Sequence, residues 1–259
     1  MASVFCFSVP KNGNTQEEYE DSYSVYYPSN TDECQSDKNL LAAIADGASE
    51  SSFSNKWADI LVKSYTEGEY TTLKELERKM EVLSSEWFSS VSSLELPWYA
   101  EEKIKKGAYS TFLGLSIIFS ETDSDKGKWT SFSVGDSCLF KIADGHLKVK
   151  YPLTKSDEFN NSPFLVSSNT KLNVTAWQKA ARKRGTWKKG DMFVLATDGI
   201  ASCLLQECEK NNDLFQKIIA LTRIESSEKR QNEFESFISQ VREDKLMKND
   251  DVTCVVVQL

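Results

Sequence analysis

The segment Leu40-Leu41-Ala42-Ala43-Ile44-Ala45-Asp46-Gly47 carries the strongest fold signal in this sequence. Its six apolar residues form a short uninterrupted run, which is typical of a β-strand buried on both faces. The run stops at an Asp-Gly pair, a common turn sequence. The segment therefore predicts an interior strand with a carboxylate at its end.

Other segments surround this strand with further strands and with helices. Strands are predicted at Val4–Ser8, Ser22–Tyr27, Thr111–Ser120, Lys128–Val134, Cys138–Ala143, Met192–Ala196 and Val252–Val257. Helices are predicted from a cap at Ser51 or Ser52 to Tyr65, over Leu73–Val91 and over Trp98–Lys106, and they dominate between the strand at Met192–Ala196 and about Lys245. The stretch Thr154–Gly185 has no clear period and predicts a loop-rich excursion. The pattern indicates one α/β domain, over residues 1–259, with helices outside a β core.

Composition restricts the class of protein. The 259 residues are 40% hydrophobic, enough for a large core, and the formal net charge is −8. An acidic chain repels nucleic acid and anionic membranes, so neither is an expected partner. No signal-like segment or membrane-length apolar run is present, and the six cysteines include no C-x-x-C pair. We expect a cytoplasmic monomer with reduced thiols.

The sequence contains a single histidine, His146, and this excludes most histidine-based chemistry. It follows Asp144-Gly145, which predicts a tight hairpin turn between two strands. A role in the turn is the simpler interpretation. A hydrolytic reaction in this chain would therefore depend on carboxylates and metal ions.

Acidic residues recur at the predicted strand ends. They are Glu20-Asp21, Asp46, Asp136, Asp198 and Asp250-Asp251. Any one of them alone is more simply explained as a turn residue. Strand ends can also gather side chains from distant positions into one cleft, and hard divalent cations such as Mg²⁺ and Mn²⁺ prefer oxygen ligands. Two such ions can bridge a hydroxide and clamp a phosphoryl group.

Six short motifs follow one another along the chain. They are Glu20-Asp21, Ala45-Asp46-Gly47, Gly107-x-x-x-Thr111, Val134-Gly135-Asp136-Ser137, Ala196-Thr197-Asp198-Gly199 and Asp250-Asp251-x-Thr253. In this order and spacing the set resembles the metal-dependent protein phosphatases, the type 2C serine/threonine class, and in particular a single-domain member of the bacterial type. The resemblance extends from Glu20 to Val257.

The resemblance implies an α+β fold, a four-layer αββα sandwich in which helices flank two central antiparallel sheets. It implies two Mg²⁺ or Mn²⁺ ions at one end, between the sheets. Asp46 would bridge both ions; Glu20 and the carbonyl of Gly47 would bind one, and Asp198 and Asp250 the other. Asp21 would orient the attacking water and so share the catalytic role with Asp46. The remaining implied positions are Asp136, where some bacterial members hold a third ion, and Thr111 and Asp251, which would support the ligands.

Three departures from the family pattern affect the substrate side. Asp46-Gly47 continues as Ala48-Ser49-Glu50, without the histidine that many members use as general acid. Gln16 stands where members often have a phosphate-binding arginine, and Lys11 is a candidate substitute. In the third, Cys138 replaces an arginine that is not a metal ligand.

A basic stretch within the variable, flap-like insertion around residues 152–186 contains Arg182 and Arg184. Its residues would either form a solvated face, with the side-chain stems over the core, or contact a phosphoprotein substrate or an acidic partner.

The resulting hypothesis is hydrolysis of phosphoserine and phosphothreonine in proteins by a hydroxide that bridges the metals. Two alternatives stay open: a catalytically weak pseudophosphatase that binds phosphoproteins, and a small-molecule phosphatase on the same fold.

Overall fold

The computed structural model describes residues 2–27, 39–93, 104, 106–160, 162–212 and 214–259. The strands are β1 (Ser3–Val9), β2 (Asp21–Tyr26), β3 (Asn39–Asp46), β4 (Tyr109–Ser110), β5 (Phe112–Phe119), β6 (Lys126–Val134), β7 (Cys138–Ala143), β8 (His146–Tyr151), β9 (Val166–Ser167), β10 (Ala181–Lys188), β11 (Met192–Ala196) and β12 (Val252–Gln258). The helices are α1 (Ser54–Thr66), α2 (Leu73–Ser92), α3 (Val174–Lys179), α4 (Asp198–Glu209), α5 (Phe215–Leu221) and α6 (Ser227–Glu243).

Two five-stranded antiparallel sheets form the centre of the molecule. One has the strand order β1-β12-β11-β7-β8, and the other β10-β6-β5-β3-β2. A short third sheet pairs β4 with β9. The strand predicted at 40–45 is β3, and it lies between β2 and β5 as its apolar composition requires.

Three apolar layers hold the elements together. The inner layer, between the sheets, includes Ile44, Trp129, Leu195 and Val255. The two outer layers pack α1 and α2 on one sheet and α4, α5 and α6 on the other. The predicted αββα sandwich is therefore confirmed.

Two local predictions are wrong. Residues 181–185 are not part of a loop but begin β10. The sequence pattern does not indicate a strand here because β10 lies at a sheet edge, where polar residues hide the alternation of apolar and polar positions. Helix α1 is not capped by Ser51 or Ser52: its first turn follows Phe53, whose φ is 59°. The helix predicted over 98–106 falls mainly on residues outside the described ranges.

The turn predicted at the histidine is confirmed. Asp144 and Gly145 both have positive φ, 53° and 73°, and the exposed His146 begins β8.

None of the helices in the described ranges is long and apolar enough to cross a membrane.

Candidate active site

The pairing of β2 with β3 places the first two predicted site residues side by side. Asp21 begins β2, Asp46 ends β3, and the antiparallel register makes them direct partners. Asp21 is 4% exposed, and its Oδ2 accepts a hydrogen bond of 2.9 Å from the Thr197 hydroxyl. Thr197 immediately follows β11, so this bond joins the two sheets at the end where both carboxylates lie.

Thr111 holds the main chain of Asp46 in position. Its hydroxyl accepts from the Asp46 N–H at 2.9 Å, and its own N–H donates to the Asp46 carbonyl at 2.8 Å. The same hydroxyl lies 2.9 Å from the Ser137 hydroxyl, in the turn after β6. Thr111 therefore connects the Asp46 turn to the Asp136 turn.

Glycine is required at position 47 by close packing. A Cβ there would lie 2.7 Å from the Glu20 carbonyl oxygen and 2.9 Å from the Ser54 Cβ. The Gly47 N–H donates to that same carbonyl at 3.2 Å. Any side chain at Gly47 would separate Glu20 from the end of β3.

Three further carboxylates lie in the turn between β6 and β7, at the junction of β11 with α4, and just before β12. Asp136 lies in the turn between β6 and β7, and Asp198 is the first residue of α4. Asp250 precedes β12, and its carboxylate accepts a bond of 3.0 Å from the Asp251 N–H. Since β11 and β12 are neighbouring antiparallel strands, the last residue of β11 and the first residues of β12 lie at the same end of the sheet.

Glu20 is already engaged by other polar groups. The Lys11 ammonium lies 3.1 Å from its Oε2, the Ser49 hydroxyl donates to the same oxygen, and the Ser54 hydroxyl donates to Oε1 at 3.2 Å. The first residue predicted to contact substrate, Lys11, therefore lies beside a predicted metal ligand.

Asp251, predicted to support the ligands, accepts hydrogen bonds from two main-chain N–H groups near Glu20. Its Oδ1 accepts from the Lys11 N–H and its Oδ2 from the Glu20 N–H, both at 2.8 Å. The side chain is 4% exposed. One buried carboxylate thus fixes the main chain at both Lys11 and Glu20.

Sequence reasoning missed the role of Arg242, at the end of α6. Its guanidinium donates to the carbonyls of Pro10 at 3.0 Å and Asp250 at 2.6 Å, and to the Asn12 side chain at 3.0 Å. An exposed arginine is also favoured in the last turn of a helix, where it interacts with the helix dipole. The sequence therefore does not distinguish an exposed arginine from one that binds the main chain near the site.

Burial and mutual repulsion dominate the electrostatics of the cluster. Burial, followed by the charges of neighbouring carboxylates, raises the pKa of Asp46 well above its usual range. Burial also raises the pKa of Asp21 well above its usual range. Burial and the charge of Asp198 raise the pKa of Asp136 to about 7, and burial and the charge of Asp250 raise that of Asp198 to about 6. The positive charge of Lys248 offsets part of these two shifts.

The donor set suits hard divalent cations. The cluster offers carboxylate oxygens, and a bound cation would relieve the repulsion that raises their pKa values. In the conformation seen, no group of three or more His, Cys, Asp or Glu side chains within the described ranges is arranged to hold a metal ion. Coordination therefore requires side-chain rotation or ligands such as main-chain carbonyls and water.

The structure does not bring the other two predicted substrate residues to this cluster. Arg182 and Arg184 pair with Phe132 and Thr130 in the middle of β6, and they line a groove beside the start of α2. None of the acidic cluster residues lines that groove. A substrate role for the two arginines stays a prediction.

Comparison with solved structures identifies the same fold in phosphatases. The Mycobacterium tuberculosis serine/threonine phosphatase PstP/Ppp is 14% identical, with a TM-score of 0.59 over 100% of this chain and 98% of its own. The S. agalactiae serine/threonine phosphatase is also 14% identical, with a TM-score of 0.59 over 100% of both chains. The catalytic domain of the serine/threonine protein phosphatase PstP, solved with two manganese ions, is 16% identical, with a TM-score of 0.56 over 99% of this chain and 97% of its own.

Sequence comparison gives the family. No curated protein matches the chain significantly. A family model described as protein phosphatase 2C matches residues 29–239, which contain Asp46, Asp136 and Asp198. This match spans most of the sequence, and the fold agrees with it. The chain therefore belongs to the protein phosphatase 2C family.

Proposed function

We propose that the protein is a Mg²⁺- or Mn²⁺-dependent serine/threonine phosphatase that acts on phosphorylated proteins, with the acidic cluster as its active site. The observation that carries the proposal is the meeting of Asp21, Asp46, Asp136 and Asp198 at one end of the sandwich, where their pKa values are raised. Burial of several carboxylates together is unfavourable without a compensating cation. We treat residues 1–259 as one catalytic unit, in which residues 152–186 form a variable insertion.

Two divalent ions fit the donors that the chain offers. In the proposed arrangement Asp46 would contribute to both ions, Glu20 and the Gly47 carbonyl would help to hold one, and Asp198 and Asp250 would help to hold the other. Asp136 is the candidate ligand for a third. The PstP catalytic domain, which has the same fold, was solved in complex with two manganese ions, and this supports the number. When bound, such ions activate water and neutralise charge on phosphoryl oxygens.

Asp21 is the residue of this chain that we propose to handle the proton of the attacking water. Its Oδ2 is fixed by the Thr197 hydroxyl, and Thr197 in turn accepts from the Thr253 N–H at 2.9 Å. This orientation is set by main-chain contacts between β11 and β12, so it does not depend on substrate. A buried carboxylate whose orientation is fixed in this way is suited to accept that proton.

Lys11 is the proposed contact for the substrate phosphate. Its ammonium is 23% exposed and lies 3.1 Å from Glu20, at the edge of the acidic cluster. A positive charge there attracts a phosphate dianion toward a site that is otherwise acidic. Its main-chain N–H is fixed by Asp251, which limits the reach of the side chain.

The proposal is tested by hydrolysis of p-nitrophenyl phosphate and of a phosphoserine peptide, each with Mn²⁺ and with EDTA. We expect Asp46→Ala and Asp198→Ala to abolish the Mn²⁺-dependent rate while circular dichroism stays unchanged. Asp157→Ala removes an exposed carboxylate outside these motifs, and as the matched control it should keep full activity. Retention of the Mn²⁺-dependent rate in the folded Asp46→Ala, Asp198→Ala double variant would refute the proposal.

A catalytically weak binding module is the second candidate, favoured by the state of Glu20. Both of its carboxylate oxygens have protein partners, Lys11, Ser49 and Ser54, which compete with a metal ion. A binding module would bind a phosphopeptide without turnover in Mn²⁺, whereas a phosphatase releases inorganic phosphate from it. A small-molecule phosphatase would hydrolyse the aryl ester and leave the peptide intact.

A further inference from the structure

Strand β10 is an edge strand with no further strand beside it in the described ranges, and it carries a dense group of positive charges. It is the last strand in the order β10-β6-β5-β3-β2. Arg182, Lys183 and Arg184 are consecutive and exposed, on a chain with a net charge of −8. None of the three forms an ion pair within the described ranges. These charges therefore have no partner inside the described part of the molecule.

The main chain of Arg182 and Arg184 faces the open edge. The Lys141 ammonium, which belongs to the other sheet, donates to the Thr186 carbonyl at 2.8 Å, so Thr186 points away from β6. The N–H and C=O groups of alternate residues in an antiparallel strand point to the same side, and the β10–β6 register is continuous. No strand of the described ranges pairs with this side of β10, so the donors and acceptors of Arg182 and Arg184 can pair with another extended chain.

A groove of about 590 Å³ lies along this edge. It is lined by Thr71, Thr72 and Lys74 at the start of α2, by Phe132 of β6, and by Arg182 and Arg184. Lys74 is exposed and adds a fourth positive charge.

The nearby acid Glu75 forms no ion pair with the cations of this groove within the described ranges. Its carboxylate accepts from the N–H groups of Thr71, at 2.8 Å, and Thr72, at 3.0 Å, and so caps α2.

We propose that β10 and this groove form a docking site for an extended acidic segment of a partner protein. The segment would pair with the open edge of β10 through its main chain. Because side chains alternate along a strand, acidic residues at every second position would face Arg182 and Arg184. Charge complementarity selects this occupant: Arg182, Arg184 and Lys74, which have no ion-pair partner within the described ranges of this acidic chain, attract an acidic segment and repel a basic one. The site is separate from the acidic cluster, so it operates whether or not the chain is catalytic.

The first test is fluorescence anisotropy of a labelled, unphosphorylated peptide of about ten residues in which Thr and Glu alternate. The full-length protein is measured with Mg²⁺ and again with EDTA. We expect saturable binding in both, weakened by added salt because the contact is electrostatic. Arg182→Glu, Arg184→Glu together should weaken binding by at least about tenfold. Arg223→Glu, Lys229→Glu, on the α5–α6 side, makes the same change in net charge and should leave binding close to that of the wild type.

The second measurement tests main-chain pairing without altering the protein. Methylation of alternate amide nitrogens in the same peptide removes its edge donors and should reduce affinity by a similar factor, as should replacement of Glu by Gln. Equal losses in both double variants would mean that only net charge matters, and equal binding of the methylated peptide would exclude strand pairing. Absence of binding to the wild-type protein, with aggregation of the Arg182→Glu, Arg184→Glu variant, would show that the charges only protect an open edge. Each of these three results overturns the proposal.

Discussion

Removal of the Asp251 carboxylate should weaken both the fold and the proposed metal site. Its two oxygens each accept a main-chain N–H at 2.8 Å, from Lys11 and from Glu20, and the side chain is 4% exposed. In Asp251→Ala both N–H groups lose their acceptor in a largely water-excluded position. The loop before β2, which carries Glu20 to the end of the sandwich, loses its anchor on β12.

The expected free-energy change follows from these two bonds. A hydrogen bond to a charged group contributes about 1.5–3 kcal/mol, so loss of both in Asp251→Ala should lower the free energy of unfolding by about 3–6 kcal/mol. Asp251→Asn keeps one acceptor oxygen and should lose about half as much. The larger value is a substantial fraction of the about 5–15 kcal/mol that stabilises a typical domain.

Urea denaturation followed by circular dichroism measures this change, with Asp157→Ala as the exposed control, expected within about 0.5 kcal/mol of the wild type. The Mn²⁺ concentration for half-maximal phosphatase activity, measured on the same samples, should rise for Asp251→Ala because Glu20 is no longer positioned. A loss below about 1 kcal/mol for Asp251→Ala, or an identical Mn²⁺ requirement, would refute the assigned role.

Three further outcomes are expected. Without metal, the stability contributed by neutral Asp136 is fully present below its unfolded-state pKa of 3.8 and is lost as pH rises through its folded pKa of about 7. Urea denaturation in EDTA should therefore show that the free energy of unfolding falls by about 2–3 kcal/mol between about pH 5 and about pH 8, and this fall should be smaller in Asp136→Asn. Thr111→Val removes the acceptor of the Asp46 N–H and should cost about 1–3 kcal/mol in the same assay, together with a lower kcat; unchanged kcat would argue against the link between the two turns. Lys11→Met should raise the KM for a phosphopeptide with little change in kcat in steady-state assays, and an unaltered KM would remove Lys11 from the phosphate site.

The parts of the fold that the sequence predicts best are those whose burial is continuous. Strand β3 is apolar at every position from Leu40 to Ala45, and it lies in the middle of its sheet. The sequence of β10 instead predicts a loop over its first residues, because an edge strand buries little and its exposed arginines and lysine obscure the period of two. Packing against β6, which no local pattern encodes, makes it a strand.

The candidate site divides in the same way. Asp21, Asp46, Asp136 and Asp198 are predictable because each stands where a strand meets a turn, and the structure brings them to one end of the sandwich. Contacts that depend on the folded arrangement are not predictable. Arg242 reaches the Asp250 carbonyl only because α6 packs beside β1, and the hydroxyls on Glu20 come from residues that follow β3 in the chain.

We propose that the carboxylates at the end of the sandwich form a binuclear metal centre. Calorimetric titration of the metal-free protein with Mn²⁺ tests this most directly, since it needs no substrate and no turnover. We expect two Mn²⁺ ions per chain for the wild type and loss of the tight sites in folded Asp46→Asn, because Asp46 is the proposed ligand of both ions. The absence of tight Mn²⁺ binding to the wild type, or an unchanged isotherm for Asp46→Asn, would contradict this proposal.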